Sequence, residues 1–231
     1  MKKTIIGAAA FAIAAAALAV LAFVKMKAVP DGADDIKEAR QLYEKLDSAQ
    51  LTMTDNSNGE KLMNFSFYIN GDNEMIFEYI SPQSGDHAYS DGKRFYYKTD
   101  GKWTAITPED ESYIHNIYNR EYRYPYARGS VFFLNTGSVS EASIEEQNGG
   151  KTITYVYDCE KLNKSSVKDL ENVSEFSALT CVYSLNADGL ITRFTEKASL
   201  TDAEGKVSDV DITLEVSEVN KIKFIEKPFD E

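Results

Sequence analysis

Two hydrophobic periods divide the chain after residue 30. Asp35 and Glu38 have capping-box spacing, and Ile36, Ala39, Tyr43 and Leu46 follow at helical intervals, which predicts a helix over 35–49. The period then drops to two. Met63, Phe65, Phe67 and Ile69 alternate with Leu62, Asn64, Ser66 and Tyr68, and Met75, Phe77 and Tyr79 repeat the pattern up to Ser81-Pro82. Asn70-Gly71-Asp72-Asn73, Asp91-Gly92 and Asp100-Gly101 separate these alternating runs, the signature of antiparallel hairpins. Thr107-Pro108-Glu109-Asp110 has the hydroxyl cap and first-turn proline of a helix start, so a short helix carrying Ile114, Ile117 and Tyr118 is expected, with another helical piece at Val131 to Leu134. Strands resume over 153–159, 179–185, 190–200 and 207–219. In the last, Val210, Ile212, Leu214 and Val216 face one way and Asp209, Asp211, Thr213 and Glu215 the other.

The final two strands are long against a usual length of about 5–6 residues, and each has one apolar face. They suggest an α+β, mainly antiparallel chain whose sheet wraps partway into a barrel, with the few helices on its concave face.

The first 27 residues are of another kind. Lys2 and Lys3 precede a run from Ile5 to Val24 with no polar side chain, long enough as a helix to cross about 30 Å of hydrocarbon. That length favours an uncleaved signal anchor. The ten alanines in the run, and the small-residue patterns Ala17-Leu18-Ala19 and Val20-Leu21-Ala22, favour a cleaved signal peptide. In both cases the rest of the chain lies outside the cytoplasm, anchored at the cell membrane or released. Residues 28–33, with Pro30-Asp31-Gly32, read as a linker, and 34–231 as a single domain.

The chain has 231 residues and a formal net charge of −12; because Lys2, Lys3, Lys25 and Lys27 all precede the first acidic residue, Asp31, the remainder has 21 basic against 37 acidic side chains, or −16. Such a body lacks the basic footprint that nucleic-acid binding requires.

The stretch from Asn64 to Trp103 resembles the LolA-like family, the periplasmic carriers of bacterial lipoproteins and their relatives. Phe77-Glu78-Tyr79-Ile80-Ser81-Pro82 fits the family's aromatic strand ending at a proline, and Tyr89-Ser90-Asp91-Gly92-Lys93-Arg94-Phe95-Tyr96-Tyr97 fits its Asp-Gly-Lys turn and the strand after it. The resemblance implies an incomplete, strongly curved antiparallel barrel with an N-terminal helix, a short helical lid and a cavity for acyl chains. Its implied partners are a lipid or an acylated protein; regulatory relatives act instead on a membrane protein. One departure is Ile76, where the carriers often have a polar or basic residue.

By strand face, Phe65, Phe67, Phe77, Tyr79, Phe95, Tyr97 and Trp103 are the candidates for a lipid-binding wall; the same rings also suit a filled core. Arg120, Arg123 and Arg128 alternate with Tyr122, Tyr124 and Tyr126, a pattern suited to a phosphate or acidic partner, or to a solvated loop paired with nearby carboxylates. Cys159 and Cys181 fall on apolar faces of expected strands, compatible with a disulfide or with two buried thiols. No catalytic motif is present: His87 and His115 stand in none, Gly149-Gly150-Lys151-Thr152 lacks the first glycine of a phosphate-binding loop, and Asp209 with Asp211 reads as an exposed acidic face. No cofactor and no metal site is expected.

Overall fold

Eleven antiparallel strands form one open sheet in this computed structural model, in which residues 29–106, 118–165, 173–202 and 204–229 are described. The strands are β1 (Ser48–Asp55), β2 (Lys61–Ile69), β3 (Met75–Ser81), β4 (Asp86–Ser90), β5 (Phe95–Thr99), β6 (Lys102–Ile106), β7 (Val139–Gln147), β8 (Gly150–Tyr157), β9 (Val173–Leu185), β10 (Ile191–Asp202) and β11 (Val207–Ser217). Their order is β6-β5-β4-β3-β2-β1-β11-β10-β9-β8-β7, so each strand pairs with its sequence neighbour except where β1 meets β11. That junction joins the first and last strands and leaves β6 and β7 as the two edges.

The sheet is curled. Eight inter-strand steps separate β5 from β8, which is about 38 Å if the sheet were flat at ~4.8 Å per step. Yet Tyr122 packs on Phe95 of β5 while Phe133, on the same short segment, packs on Tyr157 of β8. Side chains from β1–β6 and β8–β11 accordingly share one core on the concave side. This is the incomplete, strongly curved antiparallel barrel that the resemblance implies.

Helix α1 (Ala33–Tyr43) lies against that core through Ala33, Ile36, Ala39 and Tyr43. It is shorter than the periodicity suggests. Gly32 caps it with left-handed φ, with no capping box at Asp35, and the helix ends before Leu46. Ala49 belongs to β1, where Ala49, Leu51 and Met53 alternate inward, a strand hidden by the extended helical reading. Strand β7 is also new; it is mostly exposed and acidic, with little apolar alternation to announce it. Residues 131–134 form turns rather than a helix, followed by a 3₁₀ turn at Thr136–Ser138. The long strands β9, β10 and β11 fall where alternation places them.

The apolar run 5–24 and the helix expected after Pro108 lie outside the described residues, as does His115. Among the described residues no helix is long and apolar enough to cross a membrane.

Candidate functional site

The concave face of β2, β3 and β5 is paved with rings because period-two alternation puts every second side chain on it. Cross-strand pairs set the paving: Phe67 opposite Phe77, Phe65 opposite Tyr79, and Tyr97 opposite Ala88. Phe65, Phe67 and Phe77 are fully buried, and Tyr79 and Phe95 nearly so. Tyr97 shares the face but is 38% exposed at the rim.

What buries these rings is a single segment. Residues Tyr118–Ala127 form a π-helix, its wide turn visible in the bond from Arg128 N to Arg123 O at 2.9 Å, with Pro125 inside it. π-Turns are rare and frequently mark functional positions. Tyr122 stacks on Phe77 at 4.9 Å and meets Phe95 and Tyr79 at 5.5 and 5.3 Å. Tyr126 lies 4.9 Å from Phe65, and Tyr118 5.9 Å from Phe77. Beyond Gly129 the chain turns and sets Phe132 against Phe194 and Phe133 against Tyr157, so it covers both halves of the face. Few polar contacts hold it: Tyr43 Oη donates to Tyr126 O at 2.6 Å, Tyr118 Oη bonds the Met75 backbone, and Tyr183 Oη donates to Phe133 O. Burial pushes the Tyr122 and Tyr126 hydroxyls well up and Tyr79 up to about 12, so all stay neutral.

The Arg/Tyr alternation is therefore divided by side-chain type. Two tyrosines supply the cover, while Tyr124 is exposed. Arg128 Nη1 donates to Glu44 O at 2.6 Å, satisfying a carbonyl at the end of α1. Arg120 is exposed, and its charge opposes the desolvation that raises the Glu121 carboxyl. Arg123 acts on the Tyr118 hydroxyl. Arg128 thus faces α1.

Trp103 leaves the set. The turn at Asp100-Gly101 pairs Thr99 with Lys102 and Lys98 with Trp103, which puts Trp103 on the convex face. There it stacks on Phe229 at 4.6 Å and meets the His87 ring at 4.6 Å. After β11 the chain turns at Glu218 and Asn220, is pinned by Asn220 to the start of β1, and runs across the convex face. Ile222, Ile225 and Phe229 cover Tyr68, Ile76, Tyr89 and Tyr96 there. Ile76 is apolar because this tail packs on it.

Both cysteines are free thiols. β8 stops at Tyr157, and Cys159 opens helix α2 (Cys159–Ser165) instead of continuing the strand as its sequence suggested. Cys181 is buried on β9, opposite Tyr155, and burial pushes its thiol well up. Among the described residues no group of three or more side chains is placed to hold a metal ion. Asp209 accepts from Ser199, and Asp211 from Asn56 and Lys197, ordinary surface pairings.

Two contributors escaped the sequence reading. The covering rings Tyr118, Tyr122, Tyr126, Phe132 and Phe133 have no period that marks them as inward-facing. Glu196 is legible in retrospect: it occupies an apolar position between Phe194 and Ala198 on the inner face of β10.

No family profile and no curated protein matches the chain. Among solved structures it is similar to LprF from Mycobacterium bovis, at 10% identity over 84% of this chain and 95% of that one, with a TM-score of 0.47. It is also similar to MucB in complex with MucA, at 10% identity over 81% of this chain and TM-score 0.31, and to the Pseudomonas aeruginosa MucA/MucB complex, at 11% over 82% and TM-score 0.33. In both of those the match spans 56% of the other chain.

Proposed function

We propose that this is a non-enzymatic bacterial envelope protein, held outside the cytoplasm by its N-terminal apolar run. Its concave aromatic face receives an apolar chain, such as the acyl chain of a lipid or acylated protein, when residues 118–133 swing aside. The supporting observation is that this face is completed by one irregular segment and not by the sheet. The two burials are of similar size: exposing Tyr118, Tyr122, Tyr126, Phe132 and Phe133 forfeits about 10 kcal/mol at ~2 kcal/mol per large side chain, and burying a chain of about 16 methylenes gains ~13 kcal/mol. Native mass spectrometry with lipid extraction on the exported protein tests the proposal. A stoichiometric acyl species supports it. A clean apo mass that persists after incubation with lipid vesicles overturns it.

A second reading has one observation in its favour: the covering rings already fill the face, and the buried bond from Tyr43 to Tyr126 holds them there. In that reading the cover stays closed, and the fold is a membrane-anchored interaction or regulatory module acting on a membrane-protein partner. The apo outcome selects this reading, and crosslinking in the native membrane would then identify the partner.

A further inference from the structure

Strand β10 places a carboxyl where its inner face otherwise carries apolar side chains. Phe194, Ala198 and Leu200 point into the core with Glu196, while Lys197 pairs with Asp211 on the outside at 2.9 Å. Glu196 is 7% exposed and has no hydrogen-bond or ion-pair partner among the described residues. Its cross-strand neighbours are Cys181 on β9 and Ile212 on β11. The Tyr157 hydroxyl on β8 is buried on the same inner wall. Cys181 stands between them, with Glu196, Tyr183 and Tyr157 as its polar neighbours. From the covering elements, Phe132 packs on Phe194, Phe133 packs on Tyr157, and Arg40 of α1 acts on Tyr183.

Buried polar groups without partners are exceptional and call for an explanation. An ionised carboxylate only accepts hydrogen bonds, so what satisfies Glu196 is a donor, best a cationic one. An anionic head group would be repelled, and the body's excess of acidic residues adds to that bias. The surroundings, Phe194, Ala198, Ile212 and Tyr183, suit an alkyl chain.

We infer that Glu196 forms a polar station inside the half-barrel that receives the ammonium head of an amine-bearing amphiphile, whose alkyl chain lies along the concave face. The station rests on the apolar-chain binding proposed above and is uncovered by the same segment, through Phe132 and Phe133.

The test compares dodecylamine, dodecanol and laurate, each below its micellar concentration, binding to the full chain by isothermal titration calorimetry. Wild-type protein should bind dodecylamine at least about tenfold more tightly than dodecanol, the scale of one charge-assisted hydrogen bond, and laurate most weakly. In Glu196→Gln, and in Glu196→Leu as a second variant whose fold circular dichroism verifies, the amine-to-alcohol ratio should fall to about one while dodecanol binding persists. Equal binding of amine and alcohol by the wild type, or an amine preference that survives in both variants, overturns the station and leaves apolar-chain binding standing. Failure of all three ligands to bind overturns both.

Discussion

Replacing Glu196 by Gln should stabilise the free protein, by an amount that grows with pH. Burial pushes the Glu196 carboxyl from 4.5 up to about 7. A carboxyl whose folded-state value is raised binds its proton more tightly in the folded than in the unfolded chain. Its support for folding is therefore complete below the unfolded value, near 4.5, and is lost as pH rises through about 7. A rise of this size corresponds to about 3 kcal/mol. Wild-type protein forfeits that amount between pH 4 and pH 8, and Glu196→Gln, which cannot ionise, does not. The gap between variant and wild type is the informative quantity, because the other carboxylates titrate alike in both. Urea unfolding at pH 5 and pH 8, with equal slopes for the two proteins, measures it. The gap should widen by about 2–3 kcal/mol over that range, the part of the shift that lies above pH 5. Whatever offset the Gln amide introduces at pH 5 does not affect the widening. A gap that stays constant with pH would refute the reasoning, because the carboxyl would then be solvated or paired in the folded state.

The remaining predictions probe the two covers of the sheet and the thiols. Tyr122→Ala removes the ring that stacks on Phe77 and meets Tyr79 and Phe95; it should cost about 3 kcal/mol in denaturant unfolding and increase binding of an environment-sensitive apolar dye. Unchanged dye binding would mean that the concave face stays shut without it. Phe229→Ala should shift the emission of the sole tryptophan, Trp103, to longer wavelength, because the stacked ring at 4.6 Å is lost, with a stability change of only about 1 kcal/mol. Gly129→Ala should lower the melting temperature, since φ is +69° there and a Cβ would lie 2.8 Å from the Tyr43 ring; the strain is about 1–3 kcal/mol. A thiol reagent should titrate Cys159 in the native protein and Cys181 only after unfolding, giving two free thiols in denaturant without reductant.

The strands were the most legible part of the chain. Alternation in β2, β3, β10 and β11, punctuated by Asp-Gly and Asn-Gly turns, carries both strand identity and face, because the side-chain period of a strand is a local property of the backbone. The same rule places Trp103 correctly once the two-residue turn is counted: a residue opposite Lys98 cannot share a face with Tyr97. Two kinds of feature were obscured. Where helical and strand periods overlap, as at Leu46 to Met53, local pattern does not mark the boundary. Where a segment is irregular, as from Tyr118 to Phe133, no period exists to report which side chains turn inward.

The sequence by itself therefore determined the antiparallel strands, the apolar face they present, the turns that order most of them and the acidic surface. All of these follow from chemistry repeated within a few residues. Only the tertiary structure decided what lies on each face of the sheet. It brought the π-helix and its tyrosines onto Phe65, Phe77 and Phe95, carried the tail across Ile76 to Trp103, and enclosed Glu196 beside Cys181. These contacts join residues distant in the chain, and they exist because a curled sheet must bury its apolar concave face with whatever segment can reach it.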